Sequence, residues 1–522
     1  MVTTVLFVNV LFYVSLIQSF NLNPNGSGKK LKLDMSSPID INSNNFDPNS
    51  NINNKDNAEI IHNNGKKPIK LASLEQSQLN LAKNAIGAGV FSLSYKVNKI
   101  GPSAVASVPA SLLVAGMAAW SAYNFYAVGK ACELSESTTY AEAWGKVVSE
   151  DSKWLVQCIT TVAPIVSCLA ANIVLVDIFT MFIRTLGFPE TICNNRKLMV
   201  GTLGGGILLP LCSLKDLSSL GSVSTFGLIG QAIAMLVLGI RLFDKSYAPG
   251  GIYNTITNTA ATVVPTYNPS NFFVLASLLS YCFVTHYNAP RYSNELEDFS
   301  MRRFSYLATV SYSAAAVVYI VTMYLGLNLF GLNAQSFVLN NLSTKDPLAT
   351  VARMAFGASV LASYPLIFLT VRNWLLSQLE KTKGVVPKFF IGRQQIAFAA
   401  LSLIGLLTVK FRDIGAVGSL AGALFGTPMA FVLPSIMYLR AMRKAQVEGV
   451  KLFTDATETK IYWPRSIQDT SDKARVIINS LGLQSNLWGK YSYKFFLNVI
   501  FLFCGVALTV LGASNTIIAL SK

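Results

Sequence analysis

Apolar residues gather along this chain in runs of about twenty, the length of a helix that crosses a bilayer, with short polar joints between them. About eleven runs follow residue 70, over 75–98, 103–130, 154–184, 198–214, 219–242, 271–289, 304–331, 348–378, 392–410, 414–440 and 494–518. The pattern predicts an all-α polytopic membrane protein with its transmembrane domain over 71–522. Two softer stretches interrupt it. "STTYAEAWGKVV" (Ser137–Val148) reads as a short amphipathic helix, and 441–493 reads as a charged cytoplasmic loop. Ahead of the domain, residues 1–20 hold a short apolar core without a basic flank, similar to the centre of a signal peptide. Residues 21–70 are rich in Asn, Asp, Ser and Lys, a composition that buries too little apolar surface to offset ordering and predicts disorder.

Two runs break their own pattern. "KNAIGAGVFSLSY" (Lys83–Tyr95) sets a lysine, an asparagine and Gly-x-Gly inside the first span. Each glycine costs about 1 kcal/mol in a helix interior relative to Ala. Close helix packing accounts for Gly87 and Gly89 but not for Lys83 and Asn84. The sixth span starts apolar and then meets Thr285, His286, Tyr287, Asn288 and Pro290 in "YCFVTHYNAPRYSNELED". Proline removes a donor and clashes with the preceding turn, and irregular backbone at membrane depth survives only around protein or a cavity. Interrupted helices in corresponding positions of two halves, here the first and sixth of a five-plus-five repeat, mark the midplane binding site of a transporter. Free N–H groups at half-helix starts suit a carboxylate, and exposed carbonyls suit a cation.

Charge and cysteine content narrow the classes. Only 13% of the residues are charged against 52% hydrophobic, where soluble domains carry roughly 25% charge. The net charge of +16 is spread through connecting loops rather than along an aromatic-studded strip, which argues against a nucleic-acid partner. Basic clusters at Arg302–Arg303, Lys381–Lys383 and Arg440–Lys444 fall on one side of the membrane. With the start of the core in the cytoplasm, inside loops hold roughly 25 Lys and Arg and outside loops about 11, the asymmetry of cytoplasmic loops. The core then runs N-in, C-out, and the sequon Asn341-Leu342-Ser343 lies outside. A cleaved leader at 1–20 puts the tail on the other side, so two readings stand: an unused leader or part of an organelle import signal. The seven cysteines form no C-x-x-C pair and predict neither a metal site nor a disulfide framework.

Several segments resemble the amino acid/auxin permease family, which includes system A and N neutral amino acid transporters and vacuolar carriers. "NLAKNAIGAGVFSLSY" is similar to that family's first helix, "ILLPLCSLKDLSSLGSVSTFG" (Ile207–Gly227) to its fourth-to-fifth joint, and "FVTHYNAPRYSNEL" to its broken sixth helix. "FVLPSIMYLRAMR" (Phe431–Arg443) and "FLFCGVALTVLG" (Phe501–Gly512) resemble its tenth and eleventh. The resemblance covers 75–518 and implies a LeuT-like five-plus-five inverted repeat and secondary transport of amino acids coupled to H⁺ or Na⁺. It implies substrate contacts at Ile86, Gly87, Ala88, Gly89 and Val90 and at Thr285, His286 and Tyr287. It also places Ser363, ten residues after Arg353, where sodium-coupled members carry a threonine. The chain departs in two places: Lys83 stands at the offset where the family has asparagine, with Asn84 one residue closer to Gly-x-Gly, and Tyr287 follows the histidine in place of a common proline. A buried ammonium repels a second cation, so Lys83 favours proton over sodium coupling.

The candidate coupling set is Lys83, Asn84, Ser363 and Asp177, the acid deep in the third span, which reads as a proton carrier, as a partner of Lys83 or Arg184, or as an acid facing water near the outer end. His286 has two readings, a proton relay or a neutral ring bonded to a carbonyl that holds the break in shape. Tyr281, Tyr312 and Tyr319 read as packing at helical spacing or as pocket lining. No nucleophile–base pair, H-E-x-x-H or metal ligand set appears, which points away from an enzyme and from any cofactor beyond the coupling ion. The expected function is alternating-access symport of a neutral or small amino acid across the lipid bilayer of a plasma or organelle membrane. The alternative is a sensor that uses the same pocket with a signalling output.

Overall fold

The structure is a computed structural model and describes residues 71–213, 223–254, 267–381, 393–447 and 492–521. The leader at 1–20, the tail over 21–70 and most of the 441–493 loop lie outside the described residues. The eleven apolar runs become helical spans. The first is broken: α1a (Leu74–Ala85), a 3₁₀ turn (Ala88–Ser92) and α1b (Leu93–Ile100). Then come α2 (Ser103–Leu134), α3 (Lys153–Thr185), α4 (196–213) and α5 (Val223–Phe243). The sixth is broken as well, into α6a (Asn271–Cys282), a 3₁₀ turn (His286–Asn288) and α6b (Ala289–Glu295). The remainder are α7 (Met301–Phe330), α8 (Pro347–Lys381), α9 (Arg393–Lys410), α10 (414–447) and α11 (Ser492–Ser521). Seven of these pass a strict test of length and apolarity for crossing a membrane. The others are short apolar helices or are interrupted by their own irregular turns. The tenth helix continues past the expected limit at 440 to Val447, because its basic end remains helical beyond the apolar face.

Burial separates inner helices from lipid-facing ones. In the apolar window of α10, 78% of residues are buried inside the protein, and 67% in α3 and α6, against 33% in α2 and 28% in α11. The broken helices therefore sit among protein. α1a packs on α7 and α5, and α6a packs on α10 and α11. On one face the entry to α1a and the exit from α6b are joined by a parallel β-bridge, with Ala72 N–H donating to Glu295 O at 2.7 Å and Glu297 N–H to Ala72 O at 3.0 Å.

Three π turns have one physical origin. Gly204–Leu208 in α4, and Gly422–Gly426 and Pro428–Val432 in α10, each contain the carbonyl four residues before a proline: Pro210, Pro428 and Pro434. The ring crowds that carbonyl and offers it no donor, so the helix widens by a residue. The Ala430 carbonyl, released this way, accepts from the buried Asn124 Nδ2 of α2 at 2.9 Å. Its neighbour, the Met429 carbonyl, accepts from Tyr140 Oη at 3.2 Å. Tyr140 opens the short helix Tyr140–Val147, which confirms the amphipathic stretch read at 137–148 and is capped by Thr139.

At the opposite face, Asp346 is fully buried and ties α5 to α8. It accepts from Arg241 Nε (2.9 Å) and Nη2 (2.5 Å) and from Tyr247 Oη (2.9 Å), and its Oδ1 caps α8 at Leu348 N–H. Burial pushes the carboxyl up, but the bonds from Arg241 and Tyr247 outweigh it and hold Asp346 below the usual carboxylate range.

Two predictions come from these anchors. Asn124→Leu leaves a buried carbonyl unpaired and costs about 1–3 kcal/mol, seen as a lower melting temperature than Asn515→Leu, which removes only a bond within the exposed face of α11. Asp346→Asn breaks a buried pair and costs on the order of 3 kcal/mol. Because the folded state depresses this carboxyl, the contribution is complete above the unfolded carboxylate value and fades only as pH falls through the lower folded one. The penalty, measured by thermal melting, is then the same at neutral pH and at about pH 5 and shrinks only in stronger acid.

Candidate functional site

The two breaks face each other at the centre of the bundle. After Ala85 the chain leaves the helix through Ile86 (φ −96°, ψ 80°) and Gly87 (φ −86°, ψ −179°) before the Ala88 turn begins. The Ala88 and Gly89 N–H groups precede any acceptor within that turn. In the sixth span, Cys282 ends α6a, Thr285 (φ −124°, ψ 4°) leads into the His286 turn, and Pro290 sits in the first turn of α6b, where its missing N–H has no consequence. Gly89 lies against α6a: a β-carbon there would come within 2.6 Å of Cys282 Sγ. One at Gly87 would meet nothing within 4 Å, so open space adjoins the extended residue.

Helix α7 supplies the groups that replace the lost helical bonds. Tyr319 Oη donates to the Ala85 carbonyl at the end of α1a and lies 3.5 Å from the Cys282 carbonyl at the end of α6a. Two turns earlier, Tyr312 Oη lies 3.3 Å from the Phe283 carbonyl and 2.6 Å from Thr285 Oγ1. His286 is fully buried, with Nε2 3.0 Å from the Ser121 carbonyl of α2. A carbonyl only accepts, so Nε2 carries the proton, and the ring sits inside a nest of Phe125, Tyr312 and Phe431.

The expected coupling residues divide. Lys83 Nζ donates to Ser359 Oγ of α8 at 2.9 Å, and that hydroxyl donates to the Gly227 carbonyl of α5 at 2.8 Å. A β-carbon at Gly227 would collide with the lysine stem, so the glycine makes room for it. Lys83 forms no ion pair among the described residues. Ser363, one turn further along α8, donates to the Ser359 carbonyl at 2.9 Å rather than meeting Lys83. Asn84 turns away to Tyr292 Oη of α6b at 3.0 Å. Asp177 pairs with neither expected partner: it accepts from Arg196 Nη1 at 2.9 Å and Asn340 Nδ2 at 3.1 Å, while Arg184 pairs with Glu190. The sequence reading missed Ser359, although Ser359 and Ser363 share a helix face at i and i+4 and the signal was present. It also missed Arg196, which has no periodic cue beyond standing at the start of a helix.

Discontinuous helices in the first and sixth positions, facing each other across the bundle, define a LeuT-like transporter. The solved structure of Mhp1, a nucleobase-cation-symport-1 family transporter, shares the fold with a TM-score of 0.50 at 9% identity, over 85% of this chain and 94% of that one. Residues 70–461 match the family described as "Transmembrane amino acid transporter protein", and the chain belongs to that family. It is 22% identical over 402 residues to "Sodium-coupled neutral amino acid symporter 2" of Danio rerio, covering 73% of this chain and 78% of the relative. It is 20% identical over 393 residues to "Vacuolar amino acid transporter 2" of Saccharomyces cerevisiae, covering 72% and 77%. The protein is thus an integral membrane amino acid transporter and not an enzyme.

The contact at Gly89 yields a test. Gly89→Val is expected to reach the membrane yet lose uptake, because its side chain enters the Cys282 position and the space between the breaks. Gly89→Ala is expected to lose most uptake, with partial recovery in Gly89→Ala/Cys282→Ala, measured as labelled amino acid uptake normalised to surface protein. Normal uptake by Gly89→Val would remove the site from this place.

Proposed function

We propose that the protein is a proton-coupled symporter that grips the amino acid zwitterion between the two breaks. The substrate carboxylate is bound by the N–H groups of Gly87, Ala88 and Gly89, at the positive start of the α1 turn. The amino group is held by carbonyls released at the ends of α1a and α6a. Ile86, Val90 and Tyr287 border the substrate, while Thr285 and His286 keep the α6 break in shape. Rocking of the broken helices against α3, α4, α8 and α9 then exposes the site to one side or the other.

The observation that carries the proton reading is Lys83. Its ammonium rests on Ser359 between α1a, α5 and α8, with no carboxylate paired to it among the described residues. A fixed positive charge there opposes entry of a sodium ion. The zebrafish relative's name attributes sodium coupling to that protein, and Lys83 directs the reading of this chain to H⁺. When protonated, Lys83 fastens α1a to α8. When it loses the proton it releases α1a, which links the proton to the movement of the broken helix.

Uptake by proteoliposomes is the test, with a panel of amino acids at two pH values on either side of neutrality, with sodium or choline. Uptake is expected to rise on the acidic side and to be indifferent to sodium. Lys83→Gln is expected to abolish the pH response while leaving amino acid binding measurable. Uptake that requires sodium at fixed pH would overturn the proton reading and leave the zwitterion site standing.

A further inference from the structure

Two opposite charges face each other without pairing above the breaks, where α1b meets the start of α10. Gly89, Ser92 and Lys96 follow one another at three and four residues and share one face of the α1 turn and α1b, the face that lies against α6a at Cys282. Two of these residues hold unused polar groups. Ser92 is fully buried with its hydroxyl unpaired. Lys96 is only 9% exposed, yet its ammonium joins no hydrogen bond or ion pair among the described residues and has only the Tyr95 ring, 5.7 Å away. Opposite it, Asp413 caps α10 with one oxygen, which accepts from Ala416 N–H at 3.0 Å, and its other oxygen accepts nothing among the described residues. Gly415 stands between the two. A β-carbon there would press on Lys96 Cε at 2.9 Å and lie 3.6 Å from Lys96 Nζ and 3.2 Å from Asp413 Oδ1. The bare glycine therefore sets ammonium and carboxylate on either side of one spot, short of an ion pair. Enclosed charges left in that state are costly unless something bridges them.

We propose that Lys96 and Asp413 form an outer binding site for the zwitterion of a neutral amino acid, with its carboxylate on Lys96 Nζ and its ammonium on the free Asp413 oxygen. The inference rests on the zwitterion reading of the central site and adds a second site to it. One enclosed charge of each sign matches a zwitterion and leaves a second acidic or basic group on the ligand without an enclosed counter-charge. Asp413 is only partly buried, so the pair is reached from the joint ahead of α10, on the face that the charge asymmetry places outside. Below Lys96 on the same face come the Ser92 hydroxyl and then the Ala88 and Gly89 amides. A carboxylate descending this face passes from an ammonium to a hydroxyl to the amides, so the outer pair loads the site between the breaks.

Purified full-length Gly89→Val, with its central site blocked, is melted during titration with each proteinogenic amino acid in turn. A saturable rise in melting temperature is expected with neutral amino acids. Half-saturation is expected to move about tenfold or more higher when Lys96→Met or Asp413→Asn is added. Lys99→Gln, which removes an equal charge at an exposed position, is expected to leave it in place. Acetate, a carboxylate without the ammonium, is expected to give no rise; a rise equal to that of the amino acids overturns the zwitterion site. Lys96→Met alone is expected to raise the KM for uptake about tenfold with kcat kept, a readout that stands even where Gly89→Val does not fold, and an unchanged KM overturns the loading role. A response in the unsubstituted protein that Gly89→Val abolishes removes the outer site and leaves the central one. A response unchanged in Gly89→Val/Lys96→Met removes both.

Discussion

The hydrogen bonding of two phenols on one helix face underlies the arrangement at the centre of this protein. Opening a helix in the membrane leaves carbonyls that no water reaches, at several kcal/mol each. Tyr319 serves the end of α1a and reaches that of α6a, and Tyr312 meets the Phe283 carbonyl and the Thr285 hydroxyl of the sixth span. With those carbonyls satisfied by α7, the breaks remain open without folding back into continuous helix, and the N–H groups on the other side of each gap stay available for a ligand. The same logic recurs at the edge of the site, where Asn124 and Tyr140 satisfy carbonyls at the proline-widened turns of α10.

Much of this fold is legible in the sequence because the bilayer imposes simple rules. Run length located the spans to within a few residues, and Gly-x-Gly beside Lys83 and Asn84, with the polar run ending in Pro290, exposed both interruptions. The partners of the breaks were harder to read. Tyr312 and Tyr319 lie seven residues apart, a spacing that packing also produces, and only the fold shows their hydroxyls reaching carbonyls on two other helices. Asp177 shows the same limit: an isolated acid announces that it needs a partner, but Arg196 is nineteen residues away across a turn, while Arg184 stands seven away on the same helix. Ser359 rather than Ser363 meets the lysine because one turn of α8 decides which hydroxyl faces α1a.

Lys83 changes the character of the centre. In the proposed mechanism a mobile ion is replaced by a tethered one, and the energy of placing a cation beside α8 becomes part of the folded chain. The ordinary desolvation cost of a buried ammonium is then the quantity that moves with protonation, and Gly227 is kept small to admit the stem.

The short bridge at Ala72 and Leu296 has a mechanical consequence. It couples the beginning of one half-helix to the end of the other, so α1a and α6b are harnessed as a single lever. A displacement of Ala72 is therefore passed to the exit of α6b as well as to the entry of α1a.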